Sequence, residues 1–239
     1  MRKVYPVPVL ACCLLALLGC HANSNSSNSN AEPAPSAMPT LAETPPAQPI
    51  AVQPNDHRPI LVCFGDSLTA GPGVDAGQSY PDFLQSGLDR LHLRYRVDNQ
   101  GIGGNTTKDG VERLPEILAL HPAVAVVEFG GNDGLRGLPI ADTRANLDQI
   151  VATLQHSGIK VALAGITLPP DYGPDYIQQF NQTYTLLAKK YRVPMLPFLL
   201  KDVYGVPGMM QNDRTHATAR GNQVVARNVL ALVLPLLKK

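Results

Sequence analysis

Pro59-Ile60-Leu61-Val62-Cys63-Phe64-Gly65-Asp66-Ser67-Leu68 joins a run of apolar side chains to a turn that presents a hydroxyl. The apolar part is too short for an ordinary helix and is bounded by proline and glycine. It suits a strand buried on both faces of a parallel sheet. A second continuous apolar run, Ala123 to Phe129, leads into Gly130-Gly131-Asn132-Asp133. Tyr95 to Asn99 reads as another strand and leads into Gly103-Gly104-Asn105. Lys160 to Ile166 supplies a fourth strand, and Val193 to Phe198 a short fifth that its two prolines confine to an edge.

Helical patterns fill the gaps. Ser79 caps a helix through Leu91 that carries Phe83, Leu84, Leu88 and Leu91 on one face. Thr107 to Leu120 reads as one helix kinked at Pro115. Ile140 to His156 places Leu147, Ile150, Val151 and Leu154 at helical spacing, with Gly158 closing it. Further helices are expected over Asp175 to Tyr191 and Thr218 to Leu236. Strict alternation of this kind predicts an α/β fold: a three-layer, doubly wound sandwich around a parallel sheet of about five strands. In such sheets ligands bind beyond the carboxyl ends of the strands. Three glycine-rich clusters fall there.

Ahead of this domain, expected over 58–239, the composition changes twice. Met1-Arg2-Lys3 and the apolar run Val4 to Leu18 have the form of a signal peptide, residues 1–19. The run ends Leu17-Leu18-Gly19-Cys20, which resembles a bacterial lipobox and implies lipid attachment at Cys20. Leu18 is bulkier than the small residue often found there, and an ordinary secretory signal is the alternative. His21 is not the aspartate associated with inner-membrane retention, so the expected location is the outer membrane, facing the periplasm. Residues 20–57, rich in Asn and Ser and then in Ala and Pro, read as a disordered tether.

Charge excludes one class of partner. Lys and Arg number 20 against 19 Asp and Glu, which leaves no basic field for nucleic acid. Of the four cysteines, two lie in the signal and one at the lipidation point. Cys63 remains, reads as buried strand packing, and has no partner for an internal disulfide.

A serine hydroxyl needs a base to become a nucleophile. His216, three residues after Asp213, has an acid placed to fold back and hold its tautomer, whereas His57, His92, His121 and His156 have no such setting. Asn132, the Gly104 N–H and the Ser67 N–H are candidate donors to an oxyanion. No other group has metal-ligand spacing, so neither metal nor cofactor is expected. The Gly-x-Ser-x-Gly elbow of the α/β-hydrolases is absent around Ser67.

Gly65-Asp66-Ser67-Leu68, a glycine after the second strand, Gly130-Gly131-Asn132-Asp133 and Asp213-Arg214-Thr215-His216 resemble, in order, the blocks of the SGNH (GDSL) hydrolases. The likeness covers nearly the whole domain. It looks closest to the bacterial multifunctional acyl-thioesterase, lysophospholipase and arylesterase branch, which Gly134-Leu135-Arg136-Gly137, Leu168-Pro169-Pro170-Asp171-Tyr172-Gly173 and Val193-Pro194-Met195-Leu196-Pro197-Phe198 also resemble.

The resemblance implies a flavodoxin-like fold, Ser67 as nucleophile, His216 as base, Asp213 as orienting acid, and Ser67, Gly104 and Asn132 as the oxyanion hole. It also implies a mobile loop from Asp133 to Leu138. Asp133, Gly134, Leu135, Leu138 and Leu168 are the candidate substrate contacts, and a small ester, thioester or lysolipid is the expected substrate of a monomeric enzyme. Arg214 and Ala217 depart from the common Asp-Gly-x-His-Pro form of the last block. Two other readings stand beside this one: a carbohydrate O-acetyl esterase of the same fold, and a non-catalytic envelope lipoprotein.

Overall fold

The computed structural model describes residues 56–237. The signal peptide, Cys20 and all of the tether before Asp56 lie outside the described residues. The five strands are β1 (Ile60–Gly65), β2 (Arg96–Gly101), β3 (Val124–Glu128), β4 (Lys160–Ala164) and β5 (Met195–Leu196). All pair in parallel, in the order β2-β1-β3-β4-β5. The order reverses between β1 and β3, which makes the top of that pair the switch point where this architecture opens a crevice.

β1 and β3 hold the middle of the sheet because their side chains tolerate burial on both faces; Leu61, Val62, Cys63, Phe64 and Val124 to Val127 are all buried. β2, with Arg96, Asp98 and Asn99, is polar and takes an edge. β5 is only two residues long, as its flanking prolines require. The helices are α1 (Ser67–Ala70), α2 (Tyr80–Arg90), α3 (Thr107–Glu112), α4 (Leu114–Ala119), α5 (Gly131–Leu135), α6 (Ile140–His156), α7 (Pro174–Tyr191) and α8 (Ala219–Val233). α2 packs on α8, while α6 packs on α3 and α7. These are the two outer layers.

The helix starts follow from local chemistry. Ser79 and Asp82 form a reciprocal capping box on α2, and Thr106 and Asp109 form another on α3. One expectation is corrected. The single helix from Thr107 to Leu120 is two, broken at Arg113 rather than bent at Pro115. Pro115 has no N–H to continue the ladder, so the chain restarts with the proline in the first turn of α4. The guanidinium of Arg113, at the break, donates to the Gln100 carbonyl at 2.8 Å and to Asn105 Oδ1 at 2.9 Å. It thereby ties the break to the loop that follows β2.

Candidate active site

β1 ends at Gly65, which lies in register between Gly101 of β2 and Glu128 of β3. This row must be narrow. A Cβ on Gly65 would fall 2.3 Å from Thr69 Oγ1 and 2.5 Å from Glu128 Oε2. The chain then turns at Asp66, whose buried carboxylate caps α1 by accepting the Leu68 N–H at 2.9 Å. Ser67 is the first residue of that one-turn helix.

His216 arrives from a loop 149 positions later in the chain, and its Nε2 lies 2.9 Å from Ser67 Oγ. Its Nδ1 lies 2.7 Å from Asp213 Oδ2. Asp213 Oδ1 accepts the backbone N–H groups of Thr215 at 2.9 Å and His216 at 3.0 Å. The carboxylate is therefore fixed on both oxygens. Bonds from the imidazole and from these backbone amides hold its pKa down at about 2. With Asp213 ionised, Nδ1 carries the proton and Nε2 is left to accept from Ser67.

The loop itself is clamped. Gln211 Nε2 donates to the Pro72 carbonyl at 2.8 Å and to the Ala217 carbonyl at 2.9 Å, and Gln211 N–H to the His216 carbonyl at 2.8 Å. Arg214, in the place where the family motif often has glycine, has φ +57°. Left-handed backbone is where glycine costs nothing, so the common residue has a physical explanation and Arg214 is the strained exception.

The possible oxyanion donors converge from β1, β2 and β3. Gly104 has φ +80° on an exposed turn, and its carbonyl accepts from Arg136 Nη2 at 2.9 Å. Among the described residues, neither the Ser67 nor the Gly104 N–H donates to another backbone group. Asn132 Nδ2 donates to Asp66 Oδ2 at 3.1 Å and to the Asn105 carbonyl at 2.9 Å. Two acceptors facing one atom identify it as the nitrogen.

A cleft of about 190 Å³ opens beside Ser67, lined by Leu68, Leu135, Ile166, Leu168, Phe198 and Leu200 among others. Of the residues expected to touch substrate, Leu135 and Leu168 line it, while Asp133, Gly134 and Leu138 do not. Asp133 is buried and turned toward α3, accepting from the Thr107 N–H at 2.9 Å and from Thr107 Oγ1 at 2.5 Å. A buried carboxylate must find donors, and the start of α3 supplies them. Gly134 is packed against Leu168, with which a Cβ would collide at 2.5 Å. On the 133–138 loop, Tyr172 donates to the Leu135 carbonyl at 2.9 Å and Tyr176 to the Leu138 carbonyl at 3.4 Å.

The other reactive candidates stand apart. Cys63 is fully buried in β1, and burial pushes its thiol up to about 12. His57, His92, His121 and His156 are all exposed. Not singled out from the sequence are Glu128 and the parts that Asn105 and Thr107 play as partners of Asn132 and Asp133. Glu128 did leave a signal, because a charged residue closes an otherwise apolar strand.

A doubly wound parallel sheet with a hydrogen-bonded Ser–His–Asp set at its switch point and an apolar cleft beside it defines a serine hydrolase. Residues 63–224 match the GDSL-like lipase/acylhydrolase family, and the chain belongs to it. It is an enzyme of ester hydrolysis. It is 41% identical to Esterase TesA of Pseudomonas aeruginosa over 178 residues, 74% of this chain and 89% of that protein. It is 36% identical to thioesterase 1/protease 1/lysophospholipase L1 of Escherichia coli over 177 residues, 74% of this chain and 84% of that protein. A crystal structure of TesA superposes with a TM-score of 0.72 at 41% identity, covering 74% of this chain and 99% of that one.

Proposed function

We propose that this enzyme hydrolyses carboxylic esters and thioesters of apolar acyl groups through an acyl-enzyme at Ser67. The observation that carries the reading is the unbroken line from Asp213 through His216 to Ser67 Oγ, with bonds of 2.7 and 2.9 Å. His216 takes the proton as Ser67 attacks the acyl carbonyl, and returns it to the leaving alcohol or thiol. Water then attacks the acyl-enzyme with His216 again as base, which frees the acid and restores Ser67.

Negative charge on the carbonyl oxygen is met by the N–H groups of Ser67 and Gly104 and by Asn132. Both hydrogens of the Asn132 amide have acceptors without substrate, so the oxyanion competes with the Asn105 carbonyl for one of them. The apolar walls of the cleft favour an acyl chain over a sugar. This supports the esterase, thioesterase and lysophospholipase reading, consistent with the names of the relatives, over a carbohydrate O-acetyl esterase.

The setting is part of the proposal. Lipid on Cys20 would hold a monomeric domain at the outer membrane on the tether that precedes Asp56. Metabolic labelling with palmitate, lost on Cys20→Ser, tests the anchor. For the chemistry, Ser67→Ala is expected to lower kcat on p-nitrophenyl butyrate by at least about 10³-fold with the fold retained. Turnover at the unaltered rate would end the reading. A ladder of p-nitrophenyl esters, palmitoyl-CoA and lysophosphatidylcholine then ranks the substrates.

A further inference from the structure

The triad leaves one buried titratable group unused. Glu128, the last residue of β3, is 0% exposed and lies under the turn that carries the nucleophile. Its Oε2 accepts from Thr69 Oγ1 at 2.8 Å and from the Asp66 N–H at 3.2 Å. Its Oε1 is buried with no partner among the described residues. A buried carboxylate with a bare oxygen is costly, and a neutral carboxyl far less so. Burial and the neighbouring Asp66 carboxyl push the Glu128 carboxyl well above the usual range, which favours its neutral form.

Asp66 is its neighbour: the Asp66 N–H is the one bonded to Glu128 Oε2, and the two carboxyls act on each other's charge. Burial raises Asp66 to about 6, while the bond from the Leu68 N–H favours its ionised form. The pair is therefore arranged as one acid and one carboxylate. The carboxylate uses Oδ1 to cap the helix that begins with Ser67 and Oδ2 to take the Asn132 amide.

We propose that Glu128 is a positioning residue that acts in its neutral form: by accepting from the Asp66 N–H and from Thr69 Oγ1 it holds the turn whose Asp66 carboxylate aims the Asn132 amide and caps the helix bearing Ser67. The path is continuous from Glu128 to Asp66, then to Asn132 on one side and to the Ser67 turn on the other. Only glycine at position 65 leaves room for it, since a Cβ there would meet Glu128 Oε2 at 2.5 Å. The proposal rests on the reading of Asn132 as an oxyanion donor.

The titratable groups facing the pair are Tyr80 from α2, Tyr184 from α7, Asp133 from α5 and His216 from the last loop. Burial holds both tyrosines above their ordinary range, so they stay neutral wherever Asp66 titrates. The diagnostic quantity is the displacement of the acid limb between variants.

The test compares Glu128→Gln, Glu128→Leu, Asn132→Ala and the Glu128→Leu/Asn132→Ala double variant. The measurements are kcat and KM for p-nitrophenyl butyrate from pH 4.5 to 9, with urea unfolding alongside. Glu128→Gln is neutral and keeps an acceptor for the Asp66 N–H and Thr69, so kcat should stay within about threefold and the acid limb in place. Glu128→Leu removes the acceptor of the Asp66 N–H and puts an apolar group beside a buried carboxylate, so the limb should move up and kcat at pH 7 fall about 10-fold or more at nearly constant KM. Asn132→Ala should cost about 10²–10³ in kcat, and adding Glu128→Leu to it should cost less than it does alone.

An acid limb that moves down by a unit in Glu128→Gln would show an ionised Glu128 and overturn the proposal. So would wild-type kcat and limb in Glu128→Leu beside a damaged Asn132→Ala. A harmless Asn132→Ala would instead sink the oxyanion reading on which the proposal stands. Should Glu128→Leu fail to fold, the position of the limb in Glu128→Gln decides.

Discussion

Replacing Gly101 by alanine puts one methyl group between the end of β2 and the helix that carries the nucleophile. The new Cβ would lie 2.2 Å from Ala70 N, 2.6 Å from the Thr69 carbonyl carbon and 2.7 Å from Ala70 Cα. All three atoms are backbone of α1, so no side chain can swing away. Ordinary contact begins at 3.4 Å, and α1 must retreat by about 1.2 Å. Ser67 opens this one-turn helix, and its 2.9 Å bond to His216 Nε2 has no slack for such a shift. A misplacement of about 1 Å at reacting atoms costs about 10²-fold in rate, and overpacking costs about 1–3 kcal/mol of stability. Gly101→Ala is therefore expected to fold, to unfold at lower urea, and to lose about 10²-fold in kcat on p-nitrophenyl butyrate. Gly103→Ala is the control, because its Cβ meets nothing closer than Ser67 Cβ at 3.9 Å. If Gly101→Ala stays folded and keeps kcat within threefold of the parent, α1 is not held against β2 as described.

Two further outcomes concern the last loop. Asp213 has its pKa lowered to about 2 in the folded protein, so the stability it contributes is present above its ordinary value of 3.8 and is lost as pH falls toward 2. The gap in urea midpoint between the parent and Asp213→Asn should therefore narrow from pH 5 to pH 2, while kcat at pH 8 falls by about 10⁴-fold. Arg214→Gly relieves left-handed backbone at φ +57° and should raise stability by about 1 kcal/mol in thermal unfolding. The same variant takes a cation from the rim of the cleft, which a comparison of kcat/KM for neutral and acidic leaving groups reads out.

Much of this was legible in the chain because it is local. Two apolar runs gave β1 and β3 the centre of the sheet, and glycine after each of them marked where the chain had to turn at close quarters. Ser67, Asn132 and the Asp213–His216 pair stood out for the same reason: chemistry that needs a stated residue at a stated offset. What was not legible depends on partners far along the chain. Asp133 sits within the Asn-Asp cluster, yet its carboxylate serves Thr107, and only the packing of α5 against α3 shows it. The break at Arg113 is tied down by a guanidinium reaching back to Gln100, which no helical periodicity records. Glu128 was passed over because a strand reading looks for apolar positions and has no expectation for the one that is not.

Acid and base share a single four-residue turn, and Ser67 belongs to a different part of the chain altogether. Asp213 binds His216 through its side chain and through the backbone amides of the same turn, so the two behave as one piece. The anchors of that piece to its surroundings include the Gln211 side chain and a single bridge between Met210 and Ala217. Any displacement of this turn would therefore change the distance from His216 to Ser67 while keeping the bond between Asp213 and His216, so the contact to Ser67 could be lost and regained without re-forming that pair.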